Sequence, residues 1–488
     1  MLSAIWVLPA LGGIVISFLP RSAARVAAVA VALAELALTL ALAGLFDAGH
    51  HGYQFTEQAS WIPQLSVSYH LGVDGLSVWL LVLNALIGVV AVLATPSVWP
   101  RAGAFLGLML VMEAGMAGVF LSLDLLLFYV FWEAMLIPAY FLLWLWGEGD
   151  RPGYAALKFV LYTLVGSLLM LVGVIGEYVF SDAHTFDLPA LAAQPPSSAI
   201  QFGLFFLFAI AFVVKVPLWP FHSWLPDAYM SAPTPFLLLL AGVMGKTGAY
   251  GMLRVLLPLN PHPVNWWDWN WVLPVLAVIG IAWGALLALA QRDMKALVAY
   301  SSISHMGFIV LGVFALNAQG QEGALVQMLN HGIIVPALFL IVAWLYARTG
   351  SRDRAVLTGL APAMPVLAGV FLVVTMAALG LPGLNSFVGE FMTLLGAWQL
   401  SPWLAVAGCV GLILAPIYML RLFQGAMYTE IAGAPDHPAE AVARHDLARG
   451  EVALLAPLVA LMFLLGLYPY LVVHVMPALG QGMQVLHW

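Results

Sequence analysis

The chain has 488 residues, 63% of them hydrophobic and only 8% charged, against about 25% charged residues in ordinary soluble domains. Its single cysteine, Cys409, excludes a disulfide framework, a cysteine zinc site and a cysteine-bound iron–sulfur cluster. The net charge of -7 is small and scattered, which gives no footprint for a nucleic-acid partner.

Apolar windows of about 20 residues recur along the chain, so it reads as a polytopic membrane protein. The N-terminus reads as a first span rather than a cleaved signal, because its first cations, Arg21 and Arg25, follow the apolar stretch. About fourteen spans are expected, centred near residues 10, 35, 85, 111, 135, 167, 209, 246, 281, 305, 335, 380, 413 and 461. With the N-terminus outside, Arg21, Arg25, Arg101, Arg151, Arg292, Arg348, Arg352, Arg354, Arg444 and Arg449 fall in or beside inside connections. Arg421 lies near the inner end of its span, and Arg254 alone falls on the other side. Both termini are therefore expected outside. The outside connections, 47 to 75, 181 to 200 and 258 to 270, are poor in cations, and the aromatic run 266 to 271 suits a membrane interface.

Two spans are interrupted. In VKVPLWPFHSWLPDA, residues 214 to 228, Pro217 and Pro220 cannot donate backbone hydrogen bonds, which frees the carbonyls of Val213 and Val216. In GLPGLNSFVGEF, residues 380 to 391, Pro382 and Gly383 break the helix. Irregular backbone at membrane depth must be buried in protein or line a wet cavity. The breaks are five spans apart, so the expected fold is an all-α polytopic membrane protein with two inverted five-helix repeats, spans 4 to 8 and 9 to 13. The expected divisions of this single membrane domain are spans 1 to 3 in residues 1 to 100, a first repeat in 101 to 258 and a second in 271 to 426. A polar inside loop in 427 to 450 and a last span in 451 to 473 follow.

The ionisable residues carry the functional signal. Lysine appears four times, at 158, 215, 246 and 295; Lys215 and Lys246 lie within apolar segments, Lys158 one turn inside a span, and Lys295 at a boundary. Glu133, Lys215, Lys246, His305, His331 and Glu390 each occupy a different span. A charge at the bilayer centre costs roughly 2.5–3.5 kcal/mol on insertion scales, so these groups must face one another or water inside the bundle. Chains of such groups build proton relays. A buried lysine near a carboxylate keeps its proton, and loses that support when the partner moves. A swing of about 3 pKa units, roughly 4 kcal/mol, matches one charge crossing about 170 mV.

Other signals are weaker. MGKT, residues 244 to 247, lacks the first glycine of a phosphate-binding loop and lies in an apolar helix. His222 and Asp227 read equally as a proton entry or a structural turn. Asp124 reads as interfacial, with a cation partner as its functional alternative, and Glu113 and Glu177 are single acids without an assignment. Ser301, Ser302 and Ser304 either hydrate His305 or bond back along their helix. No histidine–carboxylate spacing makes a metal site.

The segments FWEAMLIP, VKVPLWPFHSWLPDA, GVMGKTGAYG, KALVAYSSISHMGF, the histidine at 331 and GLPGLNSFVGEF stand in one order. Together, over roughly residues 70 to 425, they resemble the antiporter-like membrane subunits of respiratory complex I. The resemblance implies fourteen helices with two inverted five-helix repeats. It implies that Glu133 and Lys215 are the glutamate and lysine of a first half-channel and Lys246 the connecting lysine. His305 and His331 would belong to a central hydrophilic axis. L- and N-type subunits and Mrp-type antiporter subunits are lysine-bearing in the twelfth span, whereas M-type subunits carry a glutamate, as Glu390 does here. The resemblance therefore implies a proton-translocating subunit of NADH–quinone oxidoreductase. NADH, FMN, iron–sulfur clusters and quinone would sit in partner subunits, with no cofactor or metal in this chain. Its partners would be L- and N-type and small membrane subunits, a peripheral redox arm and lipids. A hydrogenase or ferredoxin-linked complex, or an Mrp-type antiporter, is the alternative.

Overall fold

The computed structural model describes residues 1–50, 52–96, 99–265, 271–428 and 445–476. The aromatic run expected at the interface falls outside these residues except for Trp271, and so does most of the expected polar loop at 427 to 450. The chain is mostly helical, and eleven of its helices among the described residues are long and apolar enough to cross a membrane. Three shorter apolar helices, Leu2–Ile16, Val78–Ala94 and Pro365–Ala378, accompany them. Helices dominate because lipid offers no hydrogen-bond partner, so each span must satisfy its own N–H and C=O groups.

Residues Met1–Pro274, with those from Val473 onward, form one compact unit, and Val275–Val472 form another. The first unit opens with α1 (Leu2–Ile16) and α2 (Arg21–Leu45). The expectation of an all-α chain is corrected next: β1 (Gln54–Ile62) and β2 (Val67–Val73) pair antiparallel in the long connection that follows α2. Then follow α3 (Val78–Ala94), α4 (Ala102–Leu121), α5 (Leu125–Ala134) and α6 (Leu136–Trp146). The window centred near 135 is thus two helical pieces, because Pro138 has no N–H for the carbonyl of Ala134. Next come α7 (Pro152–Phe180), α8 (Leu188–Ala193) and α9 (Ser198–Lys215), and beyond the first break α10 (Trp224–Ser231). The last long span of the unit runs through α11 (Thr234–Leu239), α12 (Gly245–Gly251) and α13 (Leu257–Leu259), then α14 (Pro261–Asn265). Two π-helical turns, Leu240–Met244 and Met252–Leu256, flank α12.

The second unit contains α15 (Val272–Ala290) save its first residues, α16 (Met294–Val313) and α17 (Ala318–Thr349). It continues with α18 (Pro365–Ala378), α19 (Asn385–Leu400), α20 (Pro402–Met427), α21 (Arg449–Leu467) and most of α22 (Tyr470–Val473). The residue expected at the centre of the twelfth span, Gly380, lies in the break between α18 and α19, where Gly380 and Gly383 have φ of +79° and +95°.

Burial sorts the helices by role. The spans carrying Lys246, His305 and His331 are 94%, 94% and 89% buried, which sets them inside their units. By contrast α7 exposes Leu157, Leu161, Val165, Leu168, Val172 and Ile175, a helical stripe suited to acyl chains.

Candidate functional site

In the first unit, Glu133 sits in the last turn of α5, next to the irregularity at Met135. Lys215 ends α9 and is fully buried, with its Nζ 5.0 Å from the centroid of the Trp132 ring. Among the described residues that ammonium has no hydrogen-bond partner. The charge that bears on it is Glu133, and Ser167 on α7 lies within reach of the Glu133 carboxyl. A cation over an aromatic face gains about 2 kcal/mol when desolvated, so Trp132 helps hold Lys215 beside its carboxylate. Lys246 is completely buried on α12 and donates to the carbonyl of Ala241 at 2.6 Å, inside the first π turn. π turns recur at functional sites. Gly248 lets α12 lie against Val216 and the Cβ of Lys215.

The first break keeps fewer orphan carbonyls than the prolines alone imply. The Leu218 N–H takes the Val213 carbonyl at 3.0 Å, and Trp224 Nε1 takes that of Val214 at 2.9 Å. Lys158 reaches across from α7 to Asp227 at 2.7 Å, and it is the charge that bears on His222. The three accessory residues of this region therefore share one neighbourhood.

In the second unit, His305 Nδ1 lies 3.0 Å from Glu390 Oε1, and the rings of His305 and His331 are 5.9 Å apart. The same carboxyl oxygen accepts from Gln327 Nε2 at 3.2 Å and Ser386 Oγ at 2.9 Å. Asn330 ties this cluster to the break by donating to the Asn385 carbonyl at 2.6 Å. A cavity of about 10 Å³, room for one water, is lined by Ser301, His305, Gln327, His331 and Ser386 among others. Glu390 Oε2 approaches the bare backbone of Gly380, where an added Cβ would stand 2.8 Å away. Ser301 and Ser302 bond back to the Val298 carbonyl, whereas Ser304 crosses to that of Ile281.

Asp124 pairs no cation among the described residues. It caps α5 through the N–H groups of Leu126 and Leu127, both at 3.0 Å, and holds the hairpin through Ser68 N at 2.9 Å. Lys295, expected at a boundary, lies in the first turn of α16 but is buried. Arg254, the misfit in the charge bias, is a buried partner of Asp74 at 2.5 Å and of the Tyr53 hydroxyl at 2.8 Å. The sequence reading missed Trp132, Gln327, Asn330 and Ser386. A signal existed for two of them: Gln327 precedes His331 by four residues, and Ser386 precedes Glu390 by four, so each shares a helix face with its ionisable partner. No group of three or more His, Cys, Asp or Glu among the described residues is placed to hold a metal ion.

Residues 122–415 match the family described as NADH:quinone oxidoreductase/Mrp antiporter, TM. NADH-quinone oxidoreductase subunit M of Rhodobacter capsulatus is 40% identical over 96% of this chain and 91% of its own length. The subunit M of Mycobacterium tuberculosis is 38% identical over 99% and 94%. A chain of respiratory complex I from Thermus thermophilus with bound NADH superposes with a TM-score of 0.90 at 35% identity, with both chains fully covered. These likenesses span the helices that carry Glu133, Lys215, Lys246, His305, His331 and Glu390, and the chain belongs to the NADH-quinone oxidoreductase subunit M family.

Proposed function

We propose that the chain is the M-type proton-translocating subunit of a membrane-bound NADH–quinone oxidoreductase. Protons pass through Glu133, Lys215 and Lys246 in the first unit and through His305, His331 and Glu390 in the second, driven by electron transfer in other subunits. Lys158, Asp227 and His222 serve the first break. The observation that carries this reading is Lys215, buried beside Glu133 with no hydrogen-bond partner among the described residues. Its proton is held by a charge rather than by a bond. A shift of Glu133 relative to Lys215 changes how tightly the proton is held, which is the elementary step of a pump.

On this reading the chain crosses the membrane fourteen times, with two inverted five-helix repeats and both termini on the periplasmic side of a bacterial cytoplasmic membrane. It contains no redox cofactor; NADH, FMN, iron–sulfur clusters and quinone belong to partners. Its neighbours are L- and N-type and small membrane subunits, a peripheral arm and lipids. The test is Lys215→Ala and Glu133→Ala in the assembled complex, reconstituted in vesicles. Each should assemble, lose proton pumping by at least tenfold and depress coupled quinone reduction. Undiminished pumping in an assembled Glu133→Ala complex overturns the relay. Copurification of flavin and iron–sulfur subunits separates the oxidoreductase reading from an Mrp-type antiporter.

A further inference from the structure

Among the fully buried acids of the first unit that the relay leaves unused, two approach each other. Glu35 lies in the middle of α2 and Glu113 on α4, and their carboxyl groups lie within interaction reach of each other. Asn84 of α3, also fully buried, enters the same spot: its Nδ2 stands 3.5 Å from Glu35 Oε1 and donates to the Glu113 carbonyl at 3.1 Å. One turn further along α3, Gly88 makes room for the acid. A Cβ there would overlap both Glu113 carboxyl oxygens, so the carboxyl occupies space that only a bare backbone leaves open.

The cluster is rich in acceptors and poor in donors. Glu35 Oε2, both carboxyl oxygens of Glu113 and Asn84 Oδ1 are buried with no donor among the described residues. Buried polar atoms are normally paired, and an ionised carboxylate has only acceptors to offer. No cation among the described residues balances the acids. Helices α1, α3 and α11, packed against α2 and α4, contain no ionisable residue. Arg25 is ten residues before Glu35, about 15 Å along the helix. Glu133 of α5, Tyr140 of α6, Lys246 of α12 and the Asp187-paired His70 of β2 also adjoin α4, but among the described residues the one charge that bears on Glu113 is Glu35. A proton on a carboxyl turns an acceptor into a donor and removes the charge in one step. A metal cation would need several oxygens spread around it, and no group of three or more His, Cys, Asp or Glu among the described residues is placed to hold one.

We propose that Glu35 and Glu113, with Asn84, form a buried proton-binding site in the first helices of the chain, separate from the Glu133–Lys215 relay. At least one proton resides on the carboxyl pair at neutral pH, and the site does not depend on the relay reading. The test is infrared spectroscopy of the purified intact complex at pH 7, wild type against Glu35→Gln and Glu113→Gln, in H2O and D2O, with and without sodium. The wild type should show the C=O stretch of an un-ionised carboxylic acid that each variant loses. That band should move to lower wavenumber in D2O and ignore sodium. Loss of carboxylate bands alone, or a C=O band present only when sodium is withheld, overturns the proposal, the latter in favour of a sodium site. Asn84→Leu keeps both acids and supplies a second reading should the Gln variants fail to assemble. It should shift the band without removing it, and an unmoved band also counts against the site.

Discussion

Glu390 shows how a single residue depends on its surroundings. One carboxyl oxygen receives His305, Gln327 and Ser386, while the other lies against Gly380, whose φ of +79° is the left-handed region. Gly380→Ala therefore does two things. It strains the backbone by about 1–2 kcal/mol, and it drives a methyl to within 2.8 Å of the carboxyl. Gly383→Ala carries the backbone strain alone, because nothing lies within 4 Å of its Cβ position. We expect pumping in the assembled complex to fall several-fold further in Gly380→Ala than in Gly383→Ala, measured side by side in proteoliposomes. Equal losses would mean that the carboxyl's position is immaterial. The six ionisable groups were legible in the sequence because a charge in an apolar run has no cheap explanation. Trp132 was not legible, since an aromatic among apolar residues looks like core until Lys215 is seen above its ring. Glu35 and Asn84 escaped for a related reason: Glu35 is the lone acid of its span and Asn84 the lone amide of its own, and only the packing of α2, α3 and α4 brings them to Glu113.

At the scale of elements, the spans were legible from apolar length and the two breaks from Pro and Gly, while the π turns around Lys246 and the hairpin left no comparable mark. Capping across long sequence distances was equally hidden. Asp446 caps α18 from a distant segment, accepting from Val366 N at 2.7 Å and Leu367 N at 3.0 Å. Burial pushes the Asp446 carboxyl up, but those N–H groups, that of Leu447 and the charge of Arg348 outweigh it and hold it below the ordinary carboxylate range. A lowered folded pKa stabilises above the unfolded value, about 3.9, and the gain disappears as pH falls through the folded one. Amide exchange at Val366 and Leu367 should thus be faster in Asp446→Asn than in wild type at pH 7, and the difference should start to shrink below about pH 4 and vanish only beneath the lowered folded pKa. Arg254 holds the other long-range contact, joining its span to the hairpin side through Asp74 and Tyr53. Arg254→Gln strands a partly buried carboxylate, at a cost of about 3 kcal/mol by analogy with broken buried pairs. The complex should melt earlier, and adding Asp74→Asn should recover part of the loss. No recovery would mean that the arginine acts through the tyrosines instead.

At the scale of the whole chain, the connections sort into two faces within each unit. In the first, the Met1 amino group pairs with Glu57 of the hairpin at 2.5 Å, and Leu123 N bonds to His70 O at 2.9 Å. His70 also meets Asp187 at 2.6 Å, and Gly75 packs against the Val475 carbonyl. At the opposite ends of these helices, Arg25 donates to the Thr95 carbonyl at 2.6 Å and Glu148 N to the Ser231 carbonyl at 2.7 Å. In the second unit, Arg352 meets Asp293 at 3.2 Å, Leu360 N meets Ala426 O at 3.2 Å, and Arg348 meets Glu451 at 2.5 Å. Asn317 reaches the Gly396 carbonyl at 2.9 Å at the other end. Arginines concentrate on one face of each unit, and the one exception among them, Arg254, is a buried partner of Asp74 within its span rather than a loop cation. The proposed sidedness then follows from cations alone and is open to a direct check. In a Cys409→Ser background, Gln64→Cys and Ala318→Cys should react with a membrane-impermeant maleimide in intact cells. Asp150→Cys and Ala355→Cys should react only in inside-out vesicles. If Gln64→Cys and Asp150→Cys label from the same side, the alternation of spans in the first unit is wrong, and a proton path from Glu133 to Lys246 would no longer separate two compartments.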